Sequence, residues 1–117
     1  MGVAINPATA VSSLEDAAAM IDTALCMTVN PGWGGQQFIA GSPAKVSRLR
    51  TLLGEGVAIE VDGGIDPETA PTSHHAGANL FVAGAAIFGA ADPGEAYLAI
   101  ARSVGEASPR APVPRGP

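Results

Sequence analysis

The centre of the chain reads Glu60-Val61-Asp62-Gly63-Gly64-Ile65 and follows an apolar run that begins at Val57. This run predicts a buried strand that ends at the carboxylate of Asp62. The two glycines after it allow a sharp turn and a close approach of the backbone to a ligand, and Asp66-Pro67 predicts the start of a helix. A carboxylate between the end of a strand and such a turn is where parallel α/β folds carry out chemistry.

Further strands and helices alternate on both sides of this one. Strands are predicted at residues 2–6, about 24–29 and 80–83, and helix-start signals lie at Ser12, Ser42, Asp66 and Asp92. Regular alternation implies parallel strands whose carboxyl ends share one edge of the sheet. The sequence therefore predicts an α/β domain of four βα units over residues 1–107, and a disordered, proline-rich tail over residues 108–117.

The pattern also predicts which helix faces are buried. The stretch Ser12-Ser13-Leu14-Glu15 has the form of a capping box, and Ser42 is expected to cap the next helix. In that helix Val46, Leu49 and Leu53 form the expected buried stripe, with Lys45, Arg48 and Arg50 toward solvent. The inward face of the last helix is expected to be Ala96, Leu98, Ile100 and Ala101.

Composition excludes several classes of protein. The net charge of −5 and six scattered basic residues argue against a nucleic-acid surface. The longest apolar stretch, residues 80–88, is too short to span a bilayer, and no signal peptide is recognisable at the start. The single cysteine, Cys26, is expected to be a buried, reduced thiol. A soluble, cytoplasmic protein is the expected class.

Three glycine-bearing segments are expected to meet at the carboxyl edge of the sheet. They are Gly32-Trp33-Gly34-Gly35, Gly63-Gly64 and Gly84-Ala85, and their exposed amides suggest a phosphate clamp. Neither a P-loop lysine nor a dinucleotide fingerprint accompanies them. Each glycine taken singly is better explained as a turn residue; the coincidence of all three on one edge favours the clamp. Trp33 is interpreted as part of a mobile lid.

Two polar groups have competing interpretations. Asp62 is either a solvated loop carboxylate or a half-buried group placed to exchange a proton or bind a metal. The pair His74-His75 invites a metal interpretation, but adjacent helical residues point about 100° apart. A solvated surface pair is therefore favoured for the histidines.

At these residues the chain closely resembles ribulose-phosphate 3-epimerases. The resemblance extends to about residue 107 and is carried by residues 2–9, 27–36, 59–65 and 82–88. It implies the (β/α)8 TIM-barrel family, of which only the last four βα units are present here. It also implies C3 epimerisation of D-ribulose 5-phosphate to D-xylulose 5-phosphate, in which two aspartates exchange the proton and one divalent metal of the Zn, Fe, Mn or Co type stabilises an enediolate.

Carried over residue by residue, Asp62 resembles the second aspartate, both acid/base and metal ligand. The stretch 32–35 resembles the lid over the substrate. Gly63-Gly64 and Gly84-Ala85 resemble the phosphate-binding turns, and Met27 resembles a methionine that lines the pocket.

The sequence departs from the family in two ways. Ala85 stands where the family usually has serine, so one hydroxyl contact to phosphate is missing. The first aspartate, both metal-binding histidines and a substrate-binding serine belong to the absent strands, and His74 and His75 do not match them. Because four βα units cannot close an eight-stranded barrel, the strands at Val3 and Leu80 should be exposed edges.

The expected partner is a small phosphorylated sugar, with no nucleic acid and no membrane. The chain is expected either to pair with another copy or to need a missing N-terminal half, and this chain alone is not expected to turn over ribulose 5-phosphate. Two alternatives remain open. One is epimerisation of another ketose phosphate such as allulose 6-phosphate, and the other is a non-catalytic module for phosphate binding or subunit interaction.

Overall fold

The computed structural model describes residues 1–30 and 36–106. Four strands alternate with helices along this part of the chain. The strands are β1 (Gly2–Ile5), β2 (Thr23–Met27), β3 (Ala58–Asp62) and β4 (Leu80–Val82). A 3-10 helix spans Val11–Met20, and the α-helices are α1 (Ser42–Leu53), α2 (Thr69–Ala76), α3 (Gly84–Phe88) and α4 (Pro93–Glu106).

The strands form one parallel sheet in the order β1-β2-β3-β4, as the alternation predicted. Sequence order and spatial order coincide because each crossover places the next strand beside the previous one. Register aligns Met27 with Asp62 and Asp62 with Val82, so three strand ends lie side by side. This sheet is compatible with part of a (β/α)8 barrel.

One face of the sheet is packed against the helices. Along each strand alternate side chains point to opposite faces, and Cys26, Ile59 and Val61 are fully buried on the helix side. They share a core cluster with residues of α1, α2 and α4, namely Val46, Leu49, Ala70 and Ile100. The helix layer therefore covers this face.

The opposite face carries the remaining strand residues and is called here the open face. Its middle row aligns Ala4, Leu25, Glu60 and Leu80, and its upper row aligns Met27, Asp62 and Val82. Leu80 and Val82 are 39% and 38% exposed. None of the open-face residues belongs to the core clusters of the described residues.

Both predicted edge strands are edges of the sheet. β1 pairs only with β2, and β4 pairs only with β3, within the described residues. A parallel sheet ordinarily has both faces covered, so the edges and the open face together mark where this fold stops short of closure.

Several helices begin or end at the residues that the sequence predicted. Gly77 ends α2, and the Asp92 carboxylate accepts a hydrogen bond from the Glu95 amide at 3.1 Å at the start of α4. The Asp66 carboxylate accepts from the amides of Glu68 and Thr69, both at 2.8 Å. Pro71 lies in the first turn of α2, where an amide donor is not required.

Two predicted caps are wrong. The segment after Ser12 is a 3-10 helix without a side-chain cap bond, and the Ser13 hydroxyl instead donates to the carbonyl of Ala10 at 2.6 Å. Ser42 is the first residue of α1 rather than its cap, which is Gly41. In both places the serine lies too far into the turn to reach the free amides.

The predicted burial of two helices also needs correction. Lys45 and Arg50 are 8% and 6% exposed, whereas Arg48 is exposed as expected. Lys45 precedes Leu49 by four residues and Arg50 follows Val46 by four, so both share the buried face of α1. On α4 Ile100 is buried, but Leu98 and Ala101 are exposed.

Candidate functional site

Asp62 lies at the carboxyl end of β3, on the open face of the sheet. Its backbone carbonyl accepts a hydrogen bond from the Thr28 amide at 2.9 Å, which holds the strand end against β2. Its half-buried carboxylate makes no hydrogen bond to any other described residue. The side chain is therefore available to a ligand over the upper row.

The turn after Asp62 is held through its carbonyl groups. The buried Thr28 hydroxyl donates to the carbonyl of Gly63, and the Thr69 hydroxyl donates to that of Gly64 at 2.7 Å. Within residues 1–30 and 36–106 neither glycine amide donates to another residue. Among the described residues the two carbonyl groups of the turn are thus hydrogen-bonded, whereas its two amides remain available as donors. An anion site requires such available amide donors.

Backbone geometry explains why both turn residues are glycine. Gly63 has φ 118° and Gly64 has φ 67°, conformations that other residues rarely adopt. A Cβ at Gly64 would lie 2.6 Å from the Phe38 amide nitrogen, and one at Gly63 would lie 2.5 Å from the Val29 side chain. Backbone geometry alone therefore explains both glycines as turn residues. Their role in phosphate binding stays a prediction.

Gly84 and Ala85 begin α3, directly after β4 and Ala83. Because β3 and β4 are parallel neighbours, this turn follows the same edge of the sheet as Gly63-Gly64. Both residues are exposed, and amides in the first turn of a helix have no intrahelical acceptor. Ala85 has no hydroxyl to add to these donors.

Met27 ends β2 directly beside Asp62 in the register, and it is half-buried. The structure thus brings Met27, Asp62 and the two glycine turns to one edge of the sheet. The remaining predicted site residues, Gly32, Trp33, Gly34 and Gly35, lie outside the described residues.

Metal ligands are scarce in the described part of the chain. No group of three or more His, Cys, Asp or Glu side chains there could hold an ion. A single carboxylate, Asp62, does not by itself make a site for a divalent cation. The described residues consequently do not fit the divalent metal that the resemblance implies without ligands from elsewhere.

The two histidines do not form the predicted solvated pair. His75 is exposed, but His74 is half-buried, with Nδ1 3.3 Å from the Ala78 carbonyl oxygen and its ring packed against Phe81. Phe81 borders the core, and the Gly77 turn brings it beside α2. The packing gives His74 a structural role on the helix side of the sheet, away from Asp62.

Sequence reasoning missed the buried Lys45. Its ammonium group donates to the carbonyls of Asn6 and Pro7 at 2.7 and 3.0 Å, and so ties α1 to the loop that follows β1. Burial raises the pKa of the Cys26 thiol, and the Lys45 charge partly offsets that rise. The four-residue spacing from Lys45 to Leu49 was the available signal.

An open cleft of about 780 Å³ lies beside Lys45, between α1 and the loop that leads into the 3-10 helix. Thr9, Glu15 and Arg48 are among its lining residues. None of the predicted site residues in the described part of the chain lines this cleft, so it is separate from the edge that carries Asp62.

No helix in residues 1–30 and 36–106 is long and apolar enough to cross a bilayer.

Comparison with known proteins identifies the family. The sequence profile described as the ribulose-phosphate 3 epimerase family matches residues 1–88. The chain is 49% identical over 105 residues to a chloroplastic ribulose-5-phosphate-3-epimerase of Arabidopsis thaliana, covering 87% of this chain and 37% of the relative. It is 50% identical over 88 residues to a ribulose-phosphate 3-epimerase of Rhodobacter capsulatus, covering 74% of this chain and 38% of the relative.

A ribulose-phosphate 3-epimerase of Bacillus subtilis is 45% identical over 95 residues, covering 78% of this chain and 44% of the relative. The chain therefore spans less than half the length of these relatives, and the match lies in their C-terminal part. Together with the parallel sheet and the placement of Asp62, the comparisons establish that this chain belongs to the ribulose-phosphate 3-epimerase family.

Proposed function

We propose that this chain supplies the C-terminal half of an enzyme that interconverts D-ribulose 5-phosphate and D-xylulose 5-phosphate in the pentose phosphate pathway. The observation that carries the proposal is the position of Asp62. Among the described residues its carboxylate has no partner, and it ends β3 beside a turn whose amides donate to none of them, in a chain of the epimerase family. The buried thiol of Cys26 supports a reducing compartment such as the cytoplasm.

Substrate binding in this proposal starts at the phosphate. The amides of Gly63, Gly64, Gly84 and Ala85 follow neighbouring strand ends and provide uncharged donors to phosphate oxygens. The absence of a serine hydroxyl at Ala85 weakens phosphate binding by about 1 kcal/mol, which is the net value of one hydrogen bond. Residues 32–35 with Trp33 would close over the bound sugar.

Asp62 acts on the proton at C3. Its carboxylate removes this proton from one face of the sugar, and the electron pair left on C3 is delocalised toward the C2 carbonyl as an enediolate. Return of a proton to the opposite face inverts the centre. That return needs a second acid across the sugar, and the open face bears no other acid at its upper row.

A divalent cation would stabilise the enediolate charge when bound. Asp62 is the ligand that this chain would contribute, and the other ligands must come from residues beyond those described. The chemistry assigned to Asp62 here is therefore proton exchange.

Reconstitution with the missing half tests the proposal. This chain is co-expressed with the segment of the Rhodobacter capsulatus relative that precedes the matched region, and C3 epimerisation is assayed with added Mn²⁺. We expect turnover by the complex, none by this chain alone, and loss of turnover in Asp62→Asn. Turnover that survives Asp62→Asn would contradict the role of Asp62, and turnover by the chain alone would contradict its incompleteness. Allulose 6-phosphate in the same assay tests the alternative substrate.

A non-catalytic phosphate-binding module is the second candidate. It is favoured by the free amides at the turns and by the lack of a metal-ligand cluster among the described residues. Calorimetric titration of this chain with xylulose 5-phosphate distinguishes the two. Binding together with inactivity of the reconstituted complex supports the module.

A further inference from the structure

Thr28 follows the end of β2 and is not among the predicted site residues, yet it contacts the turn after Asp62 at two successive carbonyls. Its amide donates to the carbonyl of Asp62 at 2.9 Å, and its hydroxyl donates to the carbonyl of Gly63. Its own carbonyl accepts from the Ile39 amide at 2.8 Å, and its side chain is fully buried. Thr28 is therefore held in place itself, and it uses both of its donors on the turn.

These two contacts determine where the amides of the turn point. In a trans peptide the C=O and N–H groups lie in one plane and point in opposite directions. The Asp62 carbonyl points toward Thr28, so the Gly63 amide points away from it. The Gly63 carbonyl also points toward Thr28, so the Gly64 amide points away as well. The positive φ of Gly63, 118°, is what lets two successive carbonyls turn to one residue.

The side on which these amides lie is the side of the second glycine turn. β3 lies between β2 and β4, so a group that points away from β2 points toward β4. The Gly63 amide is therefore directed toward the end of β4, which Gly84-Ala85 follows. Successive amides on one side of the chain form an anion-binding concavity, or nest. Neither amide has an acceptor among the described residues.

A role of Thr28 in strand pairing alone explains less of this arrangement. β2 and β3 are already joined by a ladder that ends at the pair Met27 and Asp62. The amide of Thr28 adds one more backbone bond, which any residue except proline could make. The hydroxyl bond reaches Gly63, beyond the end of the ladder. Valine would fill the same buried space but would leave that carbonyl without its donor.

We propose that Thr28 is a positioning residue for anion binding, whose hydroxyl fixes the peptide between Gly63 and Gly64 so that both amides face one phosphate group. The inference rests on the proposed function, because it concerns the phosphate of the same substrate. It adds to that function a buried residue that acts through the turn.

Nuclear magnetic resonance of the ¹⁵N-labelled chain tests the inference with three variants. Thr28→Val removes the hydroxyl and keeps the shape, and Thr28→Ser keeps a hydroxyl. Thr51→Val is the matched control, because Thr51 is exposed on α1 and its hydroxyl donates to the Ser47 carbonyl at 3.1 Å. Residual dipolar couplings measure the directions of the Gly63 and Gly64 N–H bonds, and titration with inorganic phosphate measures binding at these amides.

We expect phosphate to shift the Gly63 and Gly64 amide signals of the original chain. Thr28→Val should rotate the Gly64 N–H bond and raise the phosphate dissociation constant about tenfold, the effect of losing one hydrogen bond to a charged group. Thr28→Ser and Thr51→Val should bind phosphate like the original chain.

Three results would overturn the inference. They are N–H bonds of Gly63 and Gly64 that point to opposite sides of the turn, no shift of these amides by phosphate, or equal dissociation constants for Thr28→Val and Thr51→Val. The first two are measured on the original chain, so they decide the question even where Thr28→Val does not fold.

Kinetics of the reconstituted complex separate this inference from the proposed function. Thr28→Val should raise KM for ribulose 5-phosphate more than it lowers kcat, because the Thr28 amide still holds Asp62. Phosphate binding that depends on the Thr28 hydroxyl, in a chain whose complex is inactive, would count against the proposed function alone. An active complex whose KM does not change in Thr28→Val would count against this inference alone.

Discussion

Gly64 turns the chain away from the end of β3 with φ 67°, and its Cα faces the backbone of Phe38. We predict that Gly64→Ala lowers the free energy of unfolding by at least about 2 kcal/mol, because an L-residue is strained at this φ and its Cβ would meet backbone atoms. Urea unfolding of the chain measures the loss.

Gly84→Ala is the matched control for this change. Gly84 has no positive φ, and no atom lies within 4 Å of a Cβ built on it. Its substitution should alter the free energy of unfolding by no more than about 0.5 kcal/mol. Equal losses for the two variants would show that the Gly64 turn is not constrained as described.

Ser73 is the one side chain among the described residues whose buried polar atom has no hydrogen-bond partner. It is fully buried within α2. We predict that Ser73→Ala raises the free energy of unfolding by about 1 kcal/mol, because the unsatisfied hydroxyl is removed and alanine favours the helix. Thermal unfolding followed by circular dichroism measures the gain.

Ser103→Ala provides the comparison, since the Ser103 hydroxyl donates to the Ile100 carbonyl at 2.7 Å. This variant should gain clearly less stability than Ser73→Ala. A loss of stability in Ser73→Ala would mean that the hydroxyl has a partner after all. Sequence alone could not separate the two serines, because both lie within helices and differ only in what surrounds them.

At the scale of elements, Arg50 joins three segments of the chain. Its guanidinium donates to the carbonyls of Gly54, Val57 and Gly77, at distances between 2.6 and 3.1 Å. The end of α1, the start of β3 and the end of α2 are thereby held together. Its five donors in a planar fork suit this task better than an ammonium group.

We predict that Arg50→Met lowers the free energy of unfolding by about 3 kcal/mol or more, because buried carbonyls lose their donors. Arg48→Met, two residues away on the exposed side of α1, should change it by about 0.5 kcal/mol or less. Chemical denaturation of both variants checks the difference. Similar losses for the two variants would contradict the buried, hydrogen-bonded role of Arg50 and would favour the solvent-exposed position that its sequence predicts.

Element order was well predicted because the signals for it are local. Glycine and proline positions, strand runs and the Asp92 cap each depend on a few adjacent residues. Which residues of α1 are buried was less predictable. Burial of Lys45 and Arg50 depends on carbonyls supplied by the loop that follows β1 and by the ends of α1 and α2.

At the scale of the whole molecule, the open face determines how the chain behaves by itself. We predict that the chain binds the dye ANS, and that Leu80→Gln lowers the dye fluorescence substantially, because Leu80 contributes exposed apolar surface to the open face. Fluorescence titration at equal protein concentration measures the effect.

Leu98→Gln is the control, since Leu98 is similarly exposed at 41% but lies on α4, on the helix side. It should lower the dye fluorescence less than Leu80→Gln. A larger effect at Leu98 would place the apolar binding surface on the helices. Adding the complementary half-barrel segment should displace the dye from the original chain.

Sequence by itself determined the parallel βα order and the position of Asp62 at a strand end, because periodicity and turn chemistry are properties of neighbouring residues. The resemblance of its motifs indicated the family. It also indicated that the sheet would have two unpaired edges, since four strands do not close a barrel. Only the tertiary structure decided which groups share a surface. Strand register places Glu60 between Leu25 and Leu80, and chain segments far apart in sequence bury Lys45 and Arg50. Within the described residues the packing also leaves the Ser73 hydroxyl without a partner. These outcomes depend on contacts that no local pattern encodes.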